Sequence, residues 1–371
     1  MAGKPAVTAP VDQVRKSLEL SGVHFLSLVE LGILKTFIDH KVFDNIPDNG
    51  EISVHELATK VGGETGLVQR FATYLVASSV LESTGPDRVA HTARSQAYRT
   101  GQVAAMFIVH VYTFLLRPMA SWSAYFDANG LAEPKTQDSI PLGWATGHPH
   151  LSLYGILDAE PALASLFNRA QAGSAGIYPL KGTYDLGWLQ TALAADADDA
   201  GARPAIVDIG GGTGLAMRGI LVDNPFIPPA QCAVLDFPKT VAAAEQREGP
   251  LAQVDMVGGS MLEPLPRQIE GARVYQFRRV LSDLPDAAIE LALRNVRDAC
   301  APDSRVLIVE ELLTPQRSRF FLAQDISVLN FGGKRRSEAM FGELAANAGF
   351  RISGVVQNDS GEFGVLELVL L

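Results

Sequence analysis

The chain has 371 residues, of which 47% are hydrophobic and 19% charged, and its formal net charge is −10. That length exceeds one typical domain, and the composition is that of a folded protein with large cores. The acidic balance argues against a nucleic-acid binder, which needs a basic face. Cys232 and Cys300 both sit in apolar surroundings, so they read as inert buried thiols and not as a disulfide or metal pair. No metal-ligand cluster stands out among the seven histidines, and no metal site is expected.

Met1 to Pro10 lacks the apolar core of a signal peptide, which predicts a cytoplasmic chain. Residues 11–42 have a helical pattern. Val14, Leu18, Val23, Leu26, Val29, Leu31, Leu34 and Ile38 spread apolar side chains around much of the circumference. A helix of that kind needs more than one neighbour, and a partner subunit is a natural second one. Ser53 reads as the cap of a helix, with Glu56 at the capping-box position. After Gly62-Gly63, Thr65 is placed to cap a second helix carrying Val68, Phe71, Leu75 and Val76. Residues 81–91 read as a β-wing turning at Gly85-Pro86-Asp87. Together these predict a winged helix-turn-helix, a fold that can read DNA. Its second helix offers Arg70 as its cation, beside Glu64 and Glu82, so a dimerisation scaffold is the stronger reading.

The longest apolar stretch, residues 103–116, is shorter than the roughly 20 residues of a membrane span. It contains His110 and predicts a buried helix with no membrane association. Further helices are expected over 104–126 and 161–178, separated by the Pro/Gly-broken run 143–150 that carries His148. Residues 192–204, rich in Ala and Asp, read as a polar linker. Beyond it, strands are expected at 205–208, 232–236, 254–257, 274–277, 306–310, 352–357 and 366–371, alternating with helical patterns. Alternation of that kind predicts a mostly parallel sheet with helices on both faces. Asn358-Asp359-Ser360-Gly361 has hairpin chemistry and predicts that the last two strands are antiparallel.

The chemistry concentrates after the first of these strands. Asp208-Ile209-Gly210-Gly211-Gly212-Thr213-Gly214 joins a strand to a helix through a glycine-dense turn, the opening unit of a nucleotide-binding sheet. An ordinary tight βα loop is the bland alternative. It loses weight because the next strand also ends in an acid, Asp236, where a ribose-binding carboxylate is expected.

The Asp-x-Gly-Gly-Gly-x-Gly form resembles S-adenosylmethionine (SAM) sites. Over nearly the whole chain the sequence is similar to small-molecule O-methyltransferases of the caffeate/hydroxyindole type. These share that motif, a later strand–Arg–x–x–Leu–His–Asp segment, and a Gly-Gly-Lys-Glu-Arg-Thr segment. Here the latter two read Phe277-Arg278-Arg279-Val280-Leu281-Ser282-Asp283 and Gly332-Gly333-Lys334-Arg335-Arg336-Ser337. The resemblance implies a homodimer with a helical winged-helix dimerisation domain over 1–103. A Rossmann-like methyltransferase domain would follow over 104–371, with 104–204 lining the acceptor pocket and 205–371 forming the SAM-binding core. The expected sheet is seven-stranded and mostly parallel, with a C-terminal antiparallel hairpin.

For the cofactor, the resemblance implies Asp208, Gly210, Gly212, Gly214, Asp236, Ser260, Met261 and Arg278. Ser260 stands where the family usually has an acid. On the acceptor side, His110 and His148 fall in pocket-lining segments. The family's catalytic His falls at Ser282 and its orienting Glu at Arg335, so the usual base and its partner are both replaced. Glu310 or Glu311 matches a second family carboxylate. Asp283 reads either as a site acid or as the cap of the helix starting near Pro285, and Arg279 and Arg336 as solvated. Lys334, after two glycines, is expected to donate to a substrate carbonyl. A cationic pocket with Lys334, Arg278, Arg335 and Asp283 but no base resembles a divergent branch of pericyclases of fungal pyridone alkaloid pathways. That resemblance implies SAM bound without methyl transfer, dehydration to a quinone methide, and Alder-ene or hetero-Diels–Alder closure of a polyketide-type substrate. The alternative is an active SAM-dependent O-methyltransferase, acting through another base or on an acceptor acidic enough to need none. Both readings take a small natural product as substrate.

Overall fold

The computed structural model describes residues 11–174, 183–195, 203–244, 247–315, 317–358 and 363–371. They fall into two compact units, one ending at Leu116 and the other running from Arg117 to Leu371.

The first unit opens with the helix Val11–Asp39. Its C-terminal part is held by Ile33, Leu34 and Phe37, which pack into a core with Phe43, Leu57 and Leu75. Strand β1 (Glu51–Ser53) leads into the helix Val54–Lys60, where the Ser53 side chain accepts from the Glu56 N–H at the N-cap. The second helix is Thr65–Ala77, one residue earlier than expected: Glu64 is its cap, and the Thr65 hydroxyl lies 3.3 Å from His55 Nδ1 instead. Strands β2 (Leu81–Gly85) and β3 (Arg88–His91) form the wing. The sheet order β1-β3-β2 adds a strand that the sequence did not suggest.

The apolar run 103–116 is not the buried helix expected. Val103–His110 is α-helical and Val111–Leu116 continues as a π-helix. Val103 is 73% and Phe107 50% exposed. Leu18, Leu20, Val23, Phe25, Leu26 and Leu28 are exposed on the first helix as well. Side chains apolar all round need cover on several sides, and one chain covers only part of them. On length and composition alone, Leu18–Asp39 and Val103–Ala120 would each suffice to cross a membrane.

The second unit begins with the short helices Arg117–Ala120 and Trp122–Asn129, then Pro141–Thr146, Leu153–Ala159 and Pro161–Ser174. Residues 175–178 of the expected helix 161–178 lie outside the described residues. The expected linker is still helical over its first four residues, because the helix Gly187–Ala195 anchors Leu189 in the core. Seven strands follow: β4 (Ile206–Ile209), β5 (Cys232–Asp236), β6 (Asp255–Gly258), β7 (Val274–Arg278), β8 (Arg305–Glu311), β9 (Phe350–Gln357) and β10 (Phe363–Leu370). Their order is β6-β5-β4-β7-β8-β10-β9, with β4 to β8 parallel and β10 antiparallel to both its neighbours. The turn 359–361 lies outside the described residues, while the pairing of β9 with β10 is seen. Strands buried on both faces explain the near-continuous apolar runs. One core packs Ile289, Leu293 and Val296 of the helix Asp286–Ala299 against Val207, Phe277 and Ile308, and Met217 and Ile220 belong to a second core. Cys232 and Cys300 are free, and burial pushes both thiols up to about 12.

Candidate active site

Beyond the C-terminal ends of β4, β5 and β7 lies a cavity lined by Gly210, Asp236, Phe237, Ser260, Met261 and Val280, among others. Open α/β sheets bind ligands in this crevice. The chain passes from β4 to the helix Leu215–Asp223 through Gly210, Gly212 and Gly214, all at positive φ. Gly211, which the sequence reading left aside, is the tightest position. A Cβ there would lie 2.5 Å from Asp208 Oδ2 and 2.9 Å from Val234 Cγ1. Only glycine permits the loop to fold over Asp208.

Asp208 is 1% exposed. Its Oδ1 accepts from Gln276 Nε2 at 3.0 Å, while Oδ2 has no hydrogen-bond partner. Burial raises its pKa to about 6, against the Gln276 hydrogen bond and the nearby Arg278 charge. Burial in turn draws the Arg278 guanidinium down. Asp236 accepts from the N–H of Gly212 and of Phe237, each at 2.8 Å, which fixes the carboxylate while leaving lone pairs for hydroxyl donors. The Ser260 hydroxyl accepts from Leu262 N–H at 3.2 Å.

These residues fit SAM. Asp236 suits its ribose, Phe237 and Met261 offer apolar flanks, and Asp208, whose buried Oδ2 has no donor, lies under the glycine turn and not on the cavity wall, where its charge favours the cationic end. When bound, SAM supplies an electrophilic methyl group on a sulfonium centre.

The residues expected to share the acceptor pocket do not converge. Ser282 is 3% exposed, and its hydroxyl donates to Glu310 Oε2 at 2.8 Å. Glu310 Oε1 also accepts from Leu281 N–H at 3.0 Å. Arg335 is 7% exposed and pairs with Glu311, with Glu310 3.8 Å away. Ser282 and Arg335 thus close into a network with two buried acids, and neither lines the Asp236 cavity.

Lys334 also lies away from that cavity. Its ammonium pairs with Glu133 and Asp286, each at 2.9 Å, in a separate hollow beside Lys135 and Gly333. Backbone packing causes this. A Cβ on Gly333 would lie 1.9 Å from the Ser282 carbonyl oxygen, so this strand of chain presses against the 281–283 turn and directs Lys334 to its far side.

Arg336, expected in solvent, is fully buried and clamps the same turn. It donates to the carbonyls of Leu281, Leu284 and Lys334 and to Asp286. His148 pairs with Glu160 at 3.2 Å and does not line the cavity. His110 belongs to the N-terminal unit, where its ring lies 5.1 Å from that of Phe114, tilted by 36°, and burial lowers its pKa. Asp283 is not a helix cap, since Pro285 holds that position. Burial lifts Asp283 to about 6, with Arg335 opposing.

Two aromatic residues were missed. Phe237 directly follows the strand-ending Asp236, which was the available signal. Tyr154 lines the same cavity, and its ring lies 5.0 Å from Phe237. Its only sequence cue was Ser152, which caps the helix Leu153–Ala159.

Residues 24–109 match the model of an O-methyltransferase dimerisation domain and residues 188–351 that of an O-methyltransferase domain. The chain is 56% identical to the methyltransferase phm5 of Pyrenochaetopsis sp., over 98% of this chain and 100% of that protein. Among solved structures, OxaC in complex with sinefungin and meleagrin superposes with a TM-score of 0.84 at 22% identity, covering 98% of this chain and 89% of that one. A structure described as a pericyclic reaction enzyme gives 0.77 at 20% identity, covering 99% and 91%. The LepI complex with SAM gives 0.77 at 19% identity, covering 99% and 90%. A dimerisation domain followed by a SAM-binding methyltransferase domain, and near-complete alignment with a curated methyltransferase, make this chain a member of the O-methyltransferase family.

Proposed function

We propose that the protein is a SAM-dependent methyltransferase of natural-product biosynthesis whose acceptor reaches the site already ionised, or ionises without a histidine. The observation that carries this reading is the Ser282–Glu310 bond beside an intact SAM loop. A serine that donates to a buried carboxylate has no basicity to offer an acceptor. The cofactor side nevertheless retains Asp208, Asp236 and the glycine turn, and the relative at 56% identity is a methyltransferase. Asp208, Asp236, Phe237 and Met261 hold SAM. Val280 and Leu284 keep water from the cavity wall beside them. Acidic phenols and vinylogous acids are the acceptor classes that meet this requirement. The exposed apolar faces of the N-terminal unit and the dimerisation-domain match support a homodimer, and the location proposed for it is the cytoplasm.

A second reading is pericyclic: dehydration to a quinone methide followed by Alder-ene or hetero-Diels–Alder closure, with SAM retained but unspent. The structural likeness to a pericyclic reaction enzyme favours it. Against it, Lys334, its intended electrophile, is held by Glu133 and Asp286. Incubation with methyl-labelled SAM and phenols, pyridones and vinylogous acids of graded acidity separates the two. Label in the product, increasing with acceptor acidity, is expected. A cyclised or dehydrated product without label would replace the first reading by the second.

A further inference from the structure

Three parallel strands set the order of groups along the cofactor cavity. Gly210 follows β4, Asp236 ends β5, and Ser260 follows β6, which lies outside β5 in the sheet. With the ribose on Asp236 and the cationic end toward Asp208, the purine falls on the β6 side, beside Phe237, Met261 and Leu262. Ser260 is held there by its own turn. Gly259 N–H donates to the Asp236 carbonyl at 2.9 Å, Glu263 N–H to the Ser260 carbonyl at 3.1 Å, and Leu262 N–H to the Ser260 hydroxyl at 3.2 Å. A serine hydroxyl has two lone pairs and a rotatable proton, so the bond from Leu262 leaves it able both to accept and to donate. The other polar side chains lining the cavity are Gln137, Ser152, Tyr154 and Asp236. Asp236 alone among them accepts without donating when ionised, and it is fixed at the ribose by the N–H groups of Gly212 and Phe237.

A 6-amino purine offers hydrogens at that edge, and a 6-oxo purine offers an oxygen. A carboxylate placed there accepts a charge-assisted bond from the first and opposes the second. A hydroxyl turns to suit either. We propose that Ser260 makes the cavity indifferent to whether the purine carries a 6-amino or a 6-oxo group, so that this chain takes S-inosyl as well as S-adenosyl forms of its cofactor. This rests on SAM binding, which both readings of the function share, and deepens them by assigning how widely the site accepts its cofactor. No covalent bond forms or breaks at Ser260. Phe237 and Met261 still select a flat ring, so the indifference is confined to the polar edge of the base.

The test reads binding alone and does not depend on methyl transfer. S-adenosylhomocysteine and S-inosylhomocysteine, which carry no methyl group to lose, are titrated by calorimetry into the full-length protein. Wild type is expected to bind the two within about threefold of each other. Ser260→Asp is expected to prefer the adenosyl form by about tenfold or more, the worth of a hydrogen bond to a charged group. Ser260→Asn, close to aspartate in size but neutral and able to donate and accept, is expected to remain within about threefold. A wild-type preference beyond threefold overturns the proposal. So does a Ser260→Asp protein that gains no preference, or a Ser260→Asn protein that gains the same one, since size and not charge would then decide. The wild-type comparison needs no variant, so misfolding of Ser260→Asp leaves the proposal open to refutation. Tight adenosyl binding with weak inosyl binding sinks this inference alone, whereas failure to bind either thioether sinks the SAM reading beneath it.

Discussion

Asp208 shows how a single buried carboxyl can be kept for a ligand at the expense of the empty protein. Its pKa is raised from 3.8 to about 6 by burial. For an acid raised in the folded state, the native form holds its proton where the unfolded form has released it. Stability is therefore complete below pH 3.8, falls as pH rises through about 6, and stays lower above that. The difference amounts to at most about 3 kcal/mol. Asp208→Asn is expected to recover up to that amount in SAM-free protein at pH 7.5 and to flatten the stability profile between pH 4 and 6. It is also expected to weaken SAM binding. Urea melts across pH and calorimetry at pH 7.5 check both halves; equal pH profiles for the two proteins would refute it. The position of Asp208 under the glycine turn was legible in the sequence, because strand, acid and glycine turn are consecutive. Gly211 was not, because the clash that requires it involves Val234 on the next strand.

Between β7, β8 and the segment 332–337, neighbouring cations have opposite consequences. Lys334 is partly exposed and its two ion pairs lie at the rim of a hollow. Lys334→Ala is expected to cost no more than about 1 kcal/mol and to leave turnover near wild type. Arg335 is buried against Glu310 and Glu311. Arg335→Glu would place a third carboxylate among them, and removing one partner of a buried pair costs about 3–5 kcal/mol. Paired thermal melts and turnover measurements distinguish the variants; a strong activity loss in Lys334→Ala with an unchanged melt would return that lysine to the acceptor. The substitutions at 282 and 335 were readable from the motif, but their direct linkage through Glu310 needed the packing of β8 against the 281–283 turn. Arg336 illustrates the limit. Sequence places it in a run of three basic residues, and nothing local says that Arg335 and Arg336 are buried while Lys334 is not. Only the contact of Gly333 with the Ser282 carbonyl settles that.

For the whole molecule, apolar periodicity located nearly every strand of the large sheet within a few residues, since buried parallel strands leave no ambiguity of face. It failed on the apolar faces that a single chain leaves exposed. The helix Val11–Asp39 and the run from Val103 present Phe25, Leu26, Val103 and Phe107 to solvent within one chain. Leu26→Glu combined with Phe25→Ser is expected to shift sedimentation from dimer to monomer, or to aggregate, at micromolar concentration. A wild type that sediments as a monomer would show that these faces meet something other than a second copy.

The two cysteines have a practical consequence for watching the protein at work. With both thiols raised to about 12, almost no thiolate exists at neutral pH, so maleimides should ignore the native chain. A cysteine placed at Leu131, which is 92% exposed, would then be a unique handle. It lies a few residues before Gln137, which lines the Asp236 cavity. A dye attached there would turn acceptor entry into a change in brightness, readable before any product is identified.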